Sequence, residues 1–295
     1  MRFTRKRTQK ILGYRQTVRQ RTLTPSLKVR ILVAQLSVPD IQEHYFFMSV
    51  LSTGREDGIM YTYQARVRFS ETDQNGQLTP GAILDYFQDT TSFEAEDSGI
   101  GISYLEENHC GWLLSGWQVQ IERYPVMGEW IKVGTFPYDF KNFYGMRNFF
   151  LEDASGKVIA KANTIWTFMD RDKGSPARIT EEILSFYTLC QKLEMEYEPR
   201  KIDIPEQMTR KEPVEIKAHH LDTNGHMNNA QYVKVAQEIA EIKKIESLRA
   251  DYRKSALPGD SMIPYVGISS INEKTTHTVC FKDSCGTIYA IVEFR

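Results

Sequence analysis

Cysteine is scarce in this chain, with four in 295 residues and no two in C-x-x-C spacing. Cys110, Cys190, Cys280 and Cys285 therefore form no disulfide framework, zinc site or thiol redox motif by pattern. No apolar run approaches the roughly 20 residues that a membrane helix needs, and no signal-peptide pattern is recognisable. Neither sign of charge dominates: 37 Lys/Arg face 38 Asp/Glu, so the chain as a whole has no electrostatic case for binding nucleic acid. These absences point to a globular protein of a reducing compartment, expected to be cytoplasmic. Its 41% hydrophobic content and its length suit two ordinary domains.

The even balance hides one uneven segment. Residues 1–59 hold eleven Lys/Arg against four Asp/Glu, and up to Arg30 there is no acidic residue at all. An Arg-rich, acid-poor opening fits an organelle transit peptide, which would make the destination a plastid. It also fits a basic arm for an anionic surface. A third reading is a start codon assigned too early, with Met60 as the natural start.

The densest chemistry lies in Asp222-Thr-Asn224-Gly-His226-Met-Asn228-Asn229-Ala-Gln-Tyr232. Carboxylate, carboxamide and imidazole alternate, so on an extended segment Asp222, Asn224 and His226 would share one face. Asn228 and Asn229 look like a helix start, whose free N–H groups would suit a developing oxyanion. His219, His220 and His226 with Asp222 match no familiar metal spacing, and neither a metal nor a cofactor is expected.

The motif has a degraded copy. Glu71-Thr-Asp73-Gln-Asn75-Gly76-Gln77-Leu-Thr79-Pro80 aligns with His220 to Asn229 at a constant offset of 149, with Gln77 opposite His226. Thr79 and Asn228 both make good helix caps, and helical apolar spacing follows each: Ile83, Leu84 and Phe87, then Tyr232, Val235, Ala236 and Ile239. Later segments recur too, Glu122 to Glu129 resembling Arg253 to Asp260. The chain reads as a duplication. Glutamine cannot accept a proton as histidine does, so the second copy is the catalytic candidate.

With Trp117-Gln-Val-Gln-Ile-Glu-Arg123-Tyr-Pro125, Tyr144-Gly-Met-Arg147 and Ala162-Asn-Thr-Ile-Trp166-Thr-Phe168, the motif resembles the acyl-ACP thioesterases over roughly Met60 to Arg295. The resemblance implies an α+β fold of two fused hotdog domains, each a long helix wrapped by an antiparallel sheet. It implies hydrolysis of fatty acyl thioesters delivered by acyl carrier protein on a phosphopantetheine arm. Asp222, Asn224 and His226 match the family's catalytic positions. After Lys254, however, the plant enzymes carry a glutamate and a cysteine where this chain has Ser255 and Ala256. Asp222, or Glu238 on the following helix, would then supply the acid, and Ser255 could hold a water. Trp112, Trp117, Phe143, Phe149 and Phe150 are core residues that an acyl tunnel would also use, Trp117 and Phe143 being the expected substrate contacts.

The expected division is an extension over residues 1–59, a chain-binding domain over 60–170, a linker with a helix over 171–211, and a catalytic domain over 212–295. Strands are expected at Tyr61–Phe69, Trp112–Arg123, Trp130–Tyr138, Phe143–Glu152 and Lys157–Phe168. A helix is expected from Thr180 to roughly Glu194, followed by strands at Val214–Ala218, Leu248–Lys254, Met262–Ile271, Thr276–Lys282 and Thr287–Phe294. Arg249, Arg253 and Lys254, or Lys243 and Lys244, could receive the acidic carrier protein. A homodimer is conceivable. An acyl-CoA thioesterase and a non-catalytic acyl-binding protein are the alternatives.

Overall fold

Alternating strand patterns on either side of two helical ones produce an α+β chain whose strands all pair antiparallel. The computed structural model describes residues 60–271 and 274–295, and the expectations attached to residues 1–59 lie outside the described residues. In order come β1 (Tyr61–Arg66), α1 (Pro80–Ser98), α2 (Ile102–Glu107), β2 (Cys110–Ile121), β3 (Trp130–Lys141), β4 (Tyr144–Asp153), β5 (Val158–Asp170), β6 (Ser175–Pro176) and α3 (Glu181–Leu184). Then follow β7 (Thr209–Arg210), β8 (Val214–Glu215), α4 (Asn229–Ile239), β9 (Ser247–Tyr252), β10 (Ser261–Ile271), β11 (Lys274–Lys282) and β12 (Ile288–Phe294).

The strands form one sheet in the order β1-β3-β4-β5-β2-β9-β12-β11-β10-β7, with β6 on β5 and β8 on β10. From the β2–β9 junction outward both halves run in the same sequence, β2-β5-β4-β3-β1 and β9-β12-β11-β10-β7/β8. A pseudo-twofold axis therefore passes through the junction. In the β2–β9 ladder Gln118 faces Arg249, residues related by the offset of 131 that superposes Glu122 on Arg253. Between the helices, Lys234 of α4 donates to Asp85 of α1 at 2.7 Å, and these two are related by the helix offset of 149. Equivalent positions meet each other only on a twofold axis, so sheet and helices mark the same duplication independently.

Each long helix begins as the sequence directs. The Thr79 hydroxyl accepts the Ala82 N–H at 3.2 Å, Pro80 fills the first turn, and Gly99 closes α1 at φ 81°. The Asn228 side chain accepts the Ala230 N–H at 2.8 Å to start α4. Ile83, Leu84 and Phe87 of α1 and Tyr232, Val233 and Ala236 of α4 are buried in one core that runs through both halves. α1 packs on β1 and β3, and α4 packs on β10 and β12.

Three elements depart from expectation, the first being the strand expected at Tyr61–Phe69, which ends at Arg66 ahead of a 3₁₀ turn, Phe69–Glu71. The edge strand of the second half is two short pieces, β7 and β8, because Pro213 between them has no N–H for the ladder. The strand expected at Val214–Ala218 therefore ends at Glu215 and gives way to a 3₁₀ turn, Ala218–His220. The helix expected from Thr180 to Glu194 stops at Leu184, although Thr180 caps it as expected, accepting the Ile183 N–H at 3.3 Å. Beyond it, side chains of the sheet engage the connector backbone in place of a helical ladder. Asn148 Oδ1 accepts the Leu193 N–H at 3.0 Å, Gln118 Oε1 the Glu198 N–H at 3.1 Å, and Arg249 Nη2 donates to the Pro199 carbonyl at 2.5 Å.

The connector also reaches a buried charge. Asp251, whose side chain is 1% exposed, accepts from Arg200 of the connector at 2.5 Å and from Arg253 Nε at 3.0 Å. Arg200 and Arg253 keep 36% and 32% exposure, so it is the carboxylate that loss of its partners would leave desolvated and uncompensated. Arg200→Ala combined with Arg253→Ala should therefore lower stability by about 3–5 kcal/mol in urea unfolding, and Asp251→Ala by less. A loss below about 1 kcal/mol would show that the pair does not hold the connector.

Candidate active site

Asp222 to His226 is not an extended segment with a shared face but a tight turn. The Asp222 N–H donates to the His226 carbonyl at 2.8 Å and the Gly225 N–H to the Asp222 carbonyl at 3.1 Å. Asp222 Oδ1 accepts the N–H groups of Asn224 at 2.8 Å and His226 at 3.2 Å. Gly225 supplies the positive φ, 72°, that the turn requires. The alternation argument fails because this side-chain hydrogen bonding bends the backbone.

The same turn occurs in the degraded copy. Asp73 Oδ1 accepts from the Asn75 and Gln77 N–H groups at 2.8 and 3.0 Å, and Gly76 has φ 71°. The Gln77 N–H holds the Asp73 carboxyl below the usual carboxylate range. Two ordinary hairpins repeat the pattern, Asp153 receiving Ser155 and Lys157, and Asp283 receiving Cys285 and Thr287. Asp-x-x-Gly-x is thus a turn signal in this chain. Asp222 is explained by the turn, and no hydrogen bond joins its carboxylate to the His226 ring.

Further bonds fix the segment between the helix and the loop after β9. Met227 donates its N–H to the Ala256 carbonyl at 2.9 Å, and the Ala256 N–H donates to the Tyr232 hydroxyl at 2.9 Å. Tyr252 donates its hydroxyl proton to the Asn229 carbonyl at 2.8 Å. Ser255 is consequently carried beside the strip that bears His226. His219 and His220 lie in the 3₁₀ turn, where His220 Nδ1 accepts the Lys217 N–H at 3.1 Å. Burial, then His219 and Lys217, lower the His220 pKa.

The expected residues now fall into two groups. Asp222 and Asn228 are structurally committed, Asn228 by its cap and by its N–H to the His220 carbonyl at 2.8 Å. Among the described residues the side chains of Asn224, His226, Asn229 and Ser255 accept or donate no hydrogen bond, while His226, Asn229 and Ser255 are half-buried. As first residue of α4, Asn229 also has an N–H with no intrahelical acceptor. The oxyanion donor expected from both asparagines therefore reduces to the Asn229 N–H. Glu238 is not brought to this group. It is exposed in the last turn of α4, about 13 Å along the axis from Asn229 at 1.5 Å per residue.

A cavity of about 60 Å³ lies in the first half, between the end of α1, α2 and the sheet. Trp112, Phe140, Arg147, Trp166 and Tyr187 line it, together with Thr91 and Glu94. Trp117 and Phe143, the expected substrate contacts, do not. Trp117 is 3% exposed and packed against Phe87 and Phe149, with ring centroids 6.1 and 5.3 Å away. Phe143 sits against Tyr144 at the β3–β4 turn. Trp112 and Arg147 stood in the sequence as a core aromatic and a motif residue, but nothing there set them at one wall. Burial raises the Glu94 carboxyl above its ordinary range against the pull of Arg147, and it pushes Tyr187 up to about 12.

Two fused helix-on-sheet halves, the second carrying the histidine-bearing turn, define a double-hotdog protein. Residues 58–187 match the acyl-ACP thioesterase N-terminal domain and residues 202–293 the C-terminal domain. The chain belongs to the acyl-ACP thioesterase family. It is 22% identical over 233 residues to the chloroplastic oleoyl-acyl carrier protein thioesterase 1 of Arabidopsis thaliana, covering 70% of this chain and 63% of that protein. It is 21% identical over 227 residues to the chloroplastic palmitoyl-acyl carrier protein thioesterase of Cuphea hookeriana, covering 68% of this chain and 52% of that one. The chain thus spans little more than half the length of these relatives. The crystal structure of an acyl-ACP thioesterase from Bacteroides thetaiotaomicron superposes with a TM-score of 0.71 at 23% identity, covering 80% of this chain and 96% of that one. The 12:0-ACP thioesterase of Umbellularia californica gives 0.69 at 18% identity, covering 81% and 97%. These likenesses establish the hotdog fold. No helix of the described residues is long and apolar enough to cross a membrane.

The turn separates two readings of Asp222. Asp222→Asn keeps an acceptor for the Asn224 and His226 N–H groups and should keep the melting temperature and most activity. Asp222→Ala should lose about 1–2 kcal/mol and at least tenfold in turnover as His226 loses its support. An Asp222→Asn protein that melts normally but is inactive would show that the carboxylate charge itself is needed.

Proposed function

We propose that this protein hydrolyses fatty acyl thioesters of acyl carrier protein, releasing the free acid and the carrier thiol. The observation that carries the proposal is the half-buried His226 imidazole, without a hydrogen-bond partner among the described residues, on a braced turn three residues before the Asn229 N–H that opens α4. His226 takes a proton from water as the water oxygen bonds to the thioester carbon. The tetrahedral oxyanion receives the Asn229 N–H and the positive end of α4, and the Asn224 carboxamide is free to donate as well. When the C–S bond breaks, the imidazolium returns its proton to the departing sulfur. Ser255, which stands where the plant enzymes carry an acid, is free to hydrogen-bond the attacking water but is too weak an acid to replace a carboxylate.

The first half, residues 60–170, would hold the acyl chain in its cavity and the second, residues 212–295, would cleave it. Gln77 in place of His226 supports that division, since the first copy keeps the turn but not the base. Carrier docking draws little support from Arg249. Its side chain is 11% exposed and bound to Glu198 and Glu293. Arg253 is paired with Asp251, Lys254 with Asp283 and Lys244 with Glu246. The location would be wherever the charged carrier is found, in a bacterial cytoplasm or in a plastid. An acyl-CoA thioesterase remains the second reading, because nothing in the turn distinguishes the two thiols.

His226→Gln, which rebuilds the sequence of the first copy, should lower kcat on acyl-ACP by about 10²–10⁴-fold with an unchanged melting temperature. Matched acyl-ACP and acyl-CoA substrates should favour the carrier protein in kcat/KM. Undiminished turnover in the variant would remove the base from the proposal, and a preference for acyl-CoA would select the second reading.

A further inference from the structure

The duplication lets each half serve as a reference for the other. Shared backbone bonds fix the register. Leu78 donates its N–H to the Pro125 carbonyl at 2.8 Å, as Met227 does to Ala256 at 2.9 Å. Arg123 donates to the Ile159 carbonyl as Lys254 does to Tyr289, and Val126 to the Glu129 carboxylate as Leu257 does to Asp260. Ile121 faces Ala160 as Tyr252 faces Ala290, and Ile83 and Tyr232 each follow their helix cap by four residues. In this register Tyr232, Tyr252 and Tyr289 stand where the first half has Ile83, Ile121 and Ile159. Those isoleucines are 0%, 6% and 0% exposed, so an aliphatic side chain suffices to fill this part of the core. The exchange brings three hydroxyls behind the histidine-bearing turn. The Tyr232 hydroxyl accepts the Ala256 N–H at 2.9 Å, Tyr252 donates to the Asn229 carbonyl at 2.8 Å, and Tyr289 donates to Asp260 at 3.1 Å.

The bonding partners changed with the tyrosines. Ile83 has no acceptor to offer, and Pro125, the counterpart of Ala256, has no N–H to leave unpaired. Where Tyr252 meets Asn229, the first half has Ile121 and Pro80. Glu129, the counterpart of Asp260, is held by Arg123 instead of by a phenol. Burial raises all three phenols above their ordinary range, so they stay protonated at neutral pH and act as hydrogen-bonding groups rather than as bases. We infer, resting on the thioester hydrolysis proposed above, that Tyr232 and Tyr252 are positioning residues for that reaction. Tyr252 ties down the opening of α4, and Tyr232 ties the Ser255–Ala256 loop to the same helix. His226, the Asn229 N–H and Ser255 are thereby kept at one spacing. Tyr289 steadies the far end of the loop through Asp260, which accepts the Leu257 N–H at 2.9 Å.

The test uses the full chain and acyl-ACP. Tyr232→Phe and Tyr252→Phe keep the rings and remove only the hydroxyls. Each should lower kcat by about 10- to 100-fold with KM within about twofold of wild type, since a small displacement of a reacting group costs turnover more than binding. The double variant Tyr232→Ile/Ala256→Pro rebuilds the Ile83–Pro125 pair of the first half and leaves no N–H unpaired. It should melt closer to wild type than Tyr232→Phe does, yet keep the lowered kcat. Recovery of kcat together with the melting temperature, or both Phe variants turning over within about twofold of wild type, overturns the inference and leaves thioester hydrolysis standing. Should the double variant not fold, the split between kcat and KM in Tyr252→Phe decides. A further readout needs no turnover: amide exchange at Ala256 and Met227 should quicken about tenfold in Tyr232→Phe. A wild-type protein that cleaves no thioester would sink the hydrolase, and unchanged exchange would sink the brace.

Discussion

The β2–β9 ladder is the contact on which the rest depends. It joins two five-position half-sheets edge to edge, with Gln118 opposite Arg249 at its centre. Pairing there removes two exposed strand edges and carries one apolar core through both repeats. α1 and α4 are held against each other on the same axis. The histidine-bearing turn therefore rests on a packed helix start rather than on a free loop.

On that frame the two motif copies share one piece of backbone. Aspartate, asparagine and glycine do the same bending in each, and a side-chain oxygen caps each helix. What differs is the side chain at the end of the turn, Gln77 or His226.

Much of this was legible in the sequence, because repeats and periodicity survive in a single chain. The offset of 149 located both turns and helices, and alternation located most strands. The connector was misjudged, since its backbone partners Asn148 and Gln118 lie some 45 and 80 residues away. Pro213 in the sequence marks the break in the edge strand. The alternation at Asp222, Asn224 and His226 suggests a shared face of an extended segment, whereas Asp153-Ala-Ser-Gly156 and Asp283-Ser-Cys-Gly286 carry the signature of the turn found there. The cavity is the least visible, because α1, α2, β2, β3, β4, β5 and the segment after α3 contribute one to three residues each to its lining.

The bond between Asp85 and Lys234 has a consequence for assembly. In a symmetric pair of identical subunits, whatever occupies a position on the dyad meets its own twin. Two first halves would thus oppose aspartate to aspartate, and two second halves lysine to lysine. Opposite charge at this one spot penalises like-with-like association and favours the mixed pairing found within a single chain. At this spot each half is better matched to its neighbour than to a copy of itself, by the modest amount that a pair with side chains 37% and 42% exposed contributes.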